Sequence, residues 1–235
     1  MKCKSKPATR TEKNPRISFA VLFWLFFFGS ILGFILEGLW HVINSGHWEN
    51  HSSSILGPFC FIYGIAAVLL YAATNLLGPQ KAFVFFVVFA VLGSALEFVF
   101  SLLQEVIFGS TSWNYSKHFL NIGGRVSLKM TAIWGALGVV FAKWLYPLFN
   151  LASARMQGGV WNFICAVTAV FMLFNILVTS IAVLRWGERV TVGDAPSNAV
   201  ESFFDENYGN DKMKAMFTNL SFAGEEKVDP SDLGS

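Results

Sequence analysis

The chain has 235 residues, of which 54% are hydrophobic and only 14% are charged. Because soluble domains contain about 25% charged residues, this composition and a mean hydropathy of +0.52 exclude an ordinary soluble domain. The net charge of +2 conceals a basic segment at 1–16 and an acidic one at 185–235. The basic segment is too short to indicate nucleic-acid binding, which we do not expect.

Five apolar segments predict five transmembrane helices. A bilayer core about 30 Å thick requires about 20 helical residues. The first apolar run is too long for the core of a cleaved signal peptide, so it is predicted to remain as a span. The tails 1–16 and 185–235 flank a predicted transmembrane domain, 17–184. Its predicted spans are 17–44, 58–77, 82–108, 126–150 and 160–184.

The distribution of Lys and Arg predicts a cytoplasmic N-terminus. The loop 45–57 contains no Lys or Arg and is predicted to lie outside, as is the loop 109–125. The predicted inner side holds the basic tail, Lys81, Lys143 and Arg155.

An odd number of spans places the acidic tail outside, although Arg185 and Arg189 argue against this. The tail has no further apolar run, so it is predicted to be extramembrane. A short helix near 200–208 is one prediction for it, and disorder is the alternative.

An internal repeat links the first four spans. LGFILE at 32–37 recurs as LGSALE at 92–97, and each copy is followed by a loop that contains Trp. The next span then carries an aromatic residue before glycine, Tyr63-Gly64 in the first half and Trp134-Gly135 in the second. Two hairpins of the same direction predict a pseudo-twofold axis along the membrane normal. The fold class is therefore predicted as an all-α polytopic membrane protein with two repeated hairpins plus one helix.

In the first helix of each predicted hairpin, polar residues recur every three or four positions and so form a polar stripe on one helix face. One stripe ends in Glu37 and His41, and the other ends in Glu97, Ser101 and Glu105. A charged carboxylate inside the bilayer costs about 2.5–3.5 kcal/mol and rarely faces lipid. The stripes therefore predict a polar site in the outer third of the bundle.

The candidate residues of this site are polar and lie near the predicted outer ends of the spans. They are Glu37, His41, Tyr63, Glu97, Asn114, Tyr115 and Arg125.

Two interpretations of these residues remain open. They form a substrate, ion or proton site, or Arg125 forms a structural ion pair with Glu37 or Glu97. His41 is expected to be an interface histidine, because Glu37 and His41 supply at most two metal ligands. No metal, no cofactor and no catalytic residue is predicted.

The familiar catalytic and nucleotide-binding motifs are absent from the sequence. It contains no GxxxxGK[ST], no GxSxG and no HExxH, so it is not expected to be an enzyme. The three cysteines lie far apart and are predicted to be free thiols. The Phe-rich stretches 23–28 and 83–89 are predicted to face lipid.

Two groups of residues form recognisable motifs. The first is the glutamate of the first span and the entry to the second span, with Glu37, Gly57, Pro58, Phe59, Cys60, Tyr63 and Gly64. The second is Trp113, Asn114, Tyr115, Ser116, Leu120, Asn121, Gly124, Arg125, Trp134 and Gly135. Together they resemble the bacterial ABC-transporter permease family of the CmpB-like, type IV group.

The resemblance covers roughly residues 20–185 and implies a permease subunit whose ATP is hydrolysed by a separate subunit. Members of the family often carry Asn-Arg-Gly before the Gly-Pro pair, whereas this chain has no arginine there. The residues assigned a structural role by the repeat, the stripes and the resemblance are Gly29, Gly33, Gly57, Pro58, Gly93, Trp113, Gly124, Trp134 and Gly135.

The favoured functional hypothesis is a permease-like subunit in the bacterial inner membrane, with Glu37 and Glu97 binding a cation, a proton or a cationic group. Its expected partners are the lipid bilayer, a separate ATPase subunit and further copies of the chain. A non-transporting scaffold or regulator, held by a network of Glu37, Glu97 and Arg125, is the alternative. A membrane enzyme that uses Glu37 and His41 as acid and base is a third, weaker hypothesis.

Overall fold

The computed structural model describes residues 17–222, which form seven helices and one two-stranded sheet. Four helices are long and apolar enough to cross a membrane, and α2, with 17 residues, is apolar but shorter. The predicted all-α polytopic membrane fold is confirmed. The helices are α1 (Phe19–Ser45), α2 (Phe61–Leu77), α3 (Ala82–Phe108), α4 (Leu128–Ser153, with a π-helical segment at Phe141–Leu145), α5 (Gly159–Thr191), α6 (Ala199–Asn207) and α7 (Asn210–Met216), and the strands are β1 (Ser110–Thr111) and β2 (Ser221–Phe222).

The hairpins α1–α2 and α3–α4 pack in the same register. A Cβ added at Gly33 would lie 2.3 Å from Cβ of Tyr63, and one added at Gly93 would lie 2.5 Å from Cβ of Trp134. Each glycine therefore makes room for the aromatic residue of the second helix. The equivalence of these contacts confirms the predicted repeat.

A second contact repeats with the roles of the helices exchanged. Gly64 of α2 packs on the carbonyl of Phe26, and Gly135 of α4 packs on the carbonyl of Phe86. Small residues thus allow close helix approach, as in other membrane bundles. The predicted aromatic-glycine pairs mark where the two helices of each hairpin touch.

The two hairpins meet through their equivalent aromatic residues. The ring centroids of Tyr63 and Trp134 lie 5.8 Å apart. Near the C-terminal end of α1, the ammonium of Lys129 lies 5.8 Å from the ring centroid of Trp40. The aromatic pair therefore joins the two halves.

The predicted exposure of the Phe-rich stretches to lipid is wrong in part. Trp24, Phe85 and Phe89 are buried. Phe85 and Phe89 lie one turn apart, so they share one face of α3 and pack in the core that also contains Tyr71. Helical periodicity buries one side of each stretch, whatever its average composition.

Cys60 and Cys165 are free thiols, as predicted, and both are buried, while Cys3 lies outside the described residues.

The segment after the transmembrane helices is folded as far as the structure describes it, up to residue 222. Helix α5 continues to Thr191, and α6 confirms the short helix predicted near 200–208. Nε and Nη2 of Arg185 donate to the two carboxylate oxygens of Asp205 at 2.9 and 2.7 Å, and Arg189 also contacts this carboxylate. The hydrogen bonds from Arg185 lower the pKa of Asp205 to about 2. An ion-pair network thus fixes α6 on the end of α5.

The tail lies on the same side of the bundle as the two long loops. β2 pairs in an antiparallel direction with β1, which follows α3. The hydroxyl of Thr218 donates to the carbonyl of Asn50 at 3.0 Å. The tail therefore covers both loops.

Candidate functional site

A cavity of about 650 Å³ lies between the start of α2, the C-terminal end of α3, the second half of α5 and the tail. Its wall mixes polar groups with apolar side chains, as small-molecule sites do. Three of the predicted site residues, Glu37, Asn114 and Tyr115, line it.

Glu37 reaches the cavity from α1. Its side chain is half-buried, and the hydroxyl of Tyr63 donates to Oε1 at 2.6 Å. Gly33, one turn earlier on α1, leaves the space in which the Tyr63 ring lies. The small-residue stripe therefore sets the position of the hydrogen-bond donor to the carboxylate.

Glu97 occupies the equivalent position on α3 but is buried more deeply. It is 4% exposed, and the hydroxyl of Tyr115 donates to its Oε1 at 2.9 Å. The other oxygen, Oε2, is buried without a hydrogen bond. Glu97 itself does not line the cavity, whereas its hydrogen-bond donor Tyr115 does. Burial raises the pKa of Tyr115, so this side chain is a neutral donor.

Arg125 does not pair with Glu37 or Glu97 in the described part of the chain. Its Nη1 donates to Oγ of Ser101 at 3.0 Å, and its Nη2 contacts the carboxylate of Glu105. Glu105 lies about 12 Å beyond Glu97 along the α3 axis, since a helix rises 1.5 Å per residue. The predicted ion-pair network of Glu37, Glu97 and Arg125 is therefore not the one that forms.

The motif after α3 builds the loop that positions Tyr115. The indole nitrogen of Trp113 donates to the carbonyl of Arg125 at 3.0 Å, and the backbone nitrogen of Tyr115 donates to the carbonyl of Gly124 at 2.7 Å. Gly124 has a φ of +69°, and a Cβ there would lie 2.6 Å from Oδ1 of Asn114. Trp113, Asn114 and Gly124 thus brace the loop against itself, and the brace holds Tyr115 over Glu97.

The loop before α2 is fixed by α5, which the sequence analysis did not associate with the site. Asn175 is fully buried; its Nδ2 donates to the carbonyl of Leu56 at 2.7 Å and its Oδ1 accepts from the nitrogen of Leu56 at 3.2 Å. The hydroxyl of Thr179 accepts from the nitrogen of Ile55 at 3.0 Å. Irregular backbone inside a bundle needs such partners.

Asn175 and Thr179 could have been found in the sequence. They stand four residues apart in an otherwise apolar segment, so they share one helix face. Gly57 and Pro58 lie in the loop that this face holds, and Gly57 has a φ of +93°. The Gly-Pro motif therefore shapes a turn that α5 binds.

His41 lies beside Glu49 of the following loop, with 3.2 Å between Nε2 and Oε1. The sequence had paired His41 with Glu37 by helical spacing alone. The loop also brings His47 and His51 to the same carboxylate. Burial lowers the pKa of His51, so its imidazole is neutral at pH 7. This cluster adjoins the cavity, because His51 also lines the cavity wall.

The model of the CmpB family, described as "Putative ABC-transporter type IV", matches residues 24–180. The chain belongs to this family. No curated protein and no solved structure matches the chain. The region common to the CmpB family contains both hairpins and most of α5, including every predicted site residue and Asn175. The tail lies beyond the matched region.

Proposed function

We propose that this CmpB-family protein is a permease-like subunit that binds a small cationic group in its outer cavity. The observation that carries the proposal is the carboxylate of Glu37 in the wall of a cavity of about 650 Å³. The carboxylate is half-buried, so a cation could bind it without full exposure to water. Electrostatic attraction is stronger at such a site than in bulk solvent.

The remaining lining favours an organic cation over a bare metal ion. Apolar side chains such as Phe100 and Leu103 stand beside amide groups of Gln104 and Asn114. Apolar surface would hold the alkyl part of a ligand while the carboxylate holds its charge. Glu97 would join the site only if Tyr115 moved, because Tyr115, its hydrogen-bond donor, lines the cavity and Glu97 does not.

We place the cavity on the outer side of the bacterial inner membrane, with the N-terminus in the cytoplasm. The loop 45–57 has no Lys or Arg, and the N-terminal segment is basic. The tail shares the side of that loop through Thr218 and Asn50. Phe217 and Leu220 of the tail line the cavity and would cover it from outside.

A separate ATPase would bind at the opposite side, as the family name suggests. The connections between α2 and α3 and between α4 and α5 lie there. Full-length protein expressed in cells that contain the native ATPases should copurify with one, and a variant that replaces both connections with Gly-Ser linkers of equal length should lose it. Copurification of no ATPase would contradict this part of the proposal.

Thermal unfolding of the full-length protein in lipid nanodiscs tests the cation site. Alkylammonium ions, with the neutral alcohols of the same shape as comparison ligands, are added in the presence of EDTA. The cations should raise the unfolding midpoint of the wild type and have no effect on Glu37→Gln. Glu206→Gln is the matched control, because Glu206 is an exposed carboxylate on α6. Equal stabilisation of Glu37→Gln, or stabilisation by the alcohols alone, would overturn the proposal.

A further inference from the structure

Three histidines and one glutamate converge at the C-terminal end of α1. Nε2 of His41 lies 3.2 Å from Oε1 of Glu49, and Nε2 of His47 lies 3.4 Å from the same oxygen. Nε2 of His51 lies 3.8 Å from Oε2 of Glu49. Three imidazole nitrogens thus face one carboxylate.

The sequence produces this convergence through a reversal of the chain after α1. Gly46 ends the helix in the left-handed conformation, with a φ of +79° and its N–H bonded to the carbonyl of Val42. Trp48 then folds back over Gly38, where a Cβ would lie 2.2 Å from its ring, and packs against Phe34 at 5.6 Å between centroids. The next residue, Glu49, is therefore returned to the side of His41.

The imidazoles are arranged as metal ligands usually are. Nδ1 of His47 lies 3.1 Å from the carbonyl of Ser45, which fixes Nδ1 as the protonated nitrogen and leaves the lone pair on Nε2. Histidines that bind a metal through one ring nitrogen usually donate the N–H of the other to a carbonyl or carboxylate in this way. Nε2 of His41 and of His51 are buried and lack a hydrogen bond of good geometry. Two buried nitrogens that face a carboxylate without forming a hydrogen bond need an explanation.

We propose that His41, His47 and Glu49 bind one Zn²⁺ ion, since one ligand atom of each lies within 4.8 Å of the others. Zinc takes four N, O or S ligands in a tetrahedron with bonds of about 2.0–2.2 Å. The edges of such a tetrahedron measure about 3.3–3.6 Å, close to the separations of 3.2 and 3.4 Å between the nitrogens of His41 and His47 and Oε1 of Glu49. No metal was predicted from the sequence, because no third ligand stands at a convincing spacing from Glu37 and His41; the loop supplies His47 and Glu49 instead.

Three protein ligands leave the fourth tetrahedral position to water or to His51, whose Nε2 lies 3.8 Å from Oε2 of Glu49. The ion would fasten the loop 46–51 to the end of α1, beside the cavity that His51 lines. The proposal does not depend on transport or on the cation site at Glu37. It concerns an ion held by the protein itself.

Calorimetric titration with ZnCl₂ tests the proposal on the full-length protein in nanodiscs, after purification through a tag without histidine and removal of metal with a chelator. The wild type should bind one Zn²⁺ with high affinity, and zinc should raise its unfolding midpoint. His47→Ala is the first variant, because His47 is 64% exposed and its loss should not disturb the fold. We expect its Kd to rise by at least about 10–100-fold, because the loss of a residue that merely hydrogen-bonds a metal ligand already has an effect of this size.

Three further variants complete the test. Glu49→Gln should also lose high-affinity binding, and His51→Ala should weaken it less, because His51 lies outside the group of three ligands. His118→Ala should keep it, because His118 is the fourth histidine of the chain and lies in the loop after α3. Unchanged affinity in His47→Ala and Glu49→Gln, or equal loss in His118→Ala, would overturn the proposal. Absence of zinc binding to the wild type would do so as well.

Discussion

The two hairpins preserve the same helix contact but supply the hydroxyl group to their glutamates in different ways. In α1–α2, the residue that packs on Gly33 is Tyr63, and its own hydroxyl binds Glu37. In α3–α4, the equivalent residue is Trp134, which has no hydroxyl group, and Tyr115 of the loop binds Glu97 instead. The comparison teaches that packing fixes where the carboxylate lies, while its partner can come from another element.

The loops that join the two helices of each hairpin differ more than the helices do. The first loop depends on α5, through Asn175 and Thr179, and the second is braced by its own motif residues. The fifth helix lies outside the repeat, so it can support only one of the two loops in this way. The asymmetry of the cavity follows, because α5 and the first loop form one wall and the second loop forms another.

Substitution of the paired glycines should have the largest effect and tests whether the hairpin contacts are equivalent. Gly33→Ala and Gly93→Ala place a Cβ within 2.5 Å of the facing aromatic residue. Overpacking of this kind costs about 1–3 kcal/mol or more, and we expect the upper end in both variants. Thermal or denaturant unfolding in nanodiscs measures the loss.

Gly159→Ala is the control for the glycine variants, because nothing lies within 4 Å of a Cβ at this helical position. It should leave stability nearly unchanged. A large loss at Gly33 with none at Gly93 would show that the two contacts are not equivalent.

Asn175→Leu should destabilise the first loop and spare the second. It leaves the N–H and the carbonyl of Leu56 without a partner, which costs about 1–3 kcal/mol of unfolding free energy for each buried group. Because water that enters the cavity can bind these groups, we expect a total loss of about 2 kcal/mol. Hydrogen exchange should rise in residues 52–60 and stay constant in 113–125. Asn162→Leu, an exposed position on the same helix, is the matched control. An equal rise in hydrogen exchange in both loops would contradict the conclusion that α5 stabilises only the first loop.

Removal of the two tyrosine hydroxyls should give unequal effects. Tyr115→Phe leaves Glu97 buried with neither oxygen hydrogen-bonded, so we expect a loss of about 1–3 kcal/mol. Tyr63→Phe should cost less, because Glu37 is half-buried and lines the cavity, where water can replace the hydroxyl. Unfolding of both variants in nanodiscs measures the difference. A larger loss for Tyr63→Phe would reverse the assignment of Glu97 as the more enclosed carboxylate.

The fold could be predicted from the sequence more fully than the site. The lengths of the apolar segments predicted the transmembrane spans, and the spacing of Gly33, Tyr63 and Glu37 predicted the repeat. Both predictions succeed because they depend on local chemistry and on the helical period. The partners of Arg125 and His41 could not be predicted, because they depend on how far each loop folds back. Helical spacing suggested Glu37 for His41, whereas the turn at Gly46 brings Glu49.

Acidification should produce the smallest effect, and it tests how the tail connects the two loops. The pKa of Asp205 falls from its ordinary 3.8 to about 2 because Arg185 hydrogen-bonds the ionised form. A lowered pKa contributes stability above about pH 4, and this contribution is lost as the pH falls from 4 towards 2. The tail should then detach, as measured by limited proteolysis with pepsin.

The matched variants for the acid effect are Asp205→Asn, which should release the tail at neutral pH, and Asp211→Asn, an exposed position that should behave as the wild type. Release should expose β1 to hydrogen exchange, because β1 pairs with β2 of the tail. The first loop should respond less, since its backbone at Ile55 and Leu56 is bonded to α5 and not to the tail. If β1 stays protected from hydrogen exchange after the tail is released, the second loop does not need the tail for its stability. The two hairpins would then differ only in their dependence on α5.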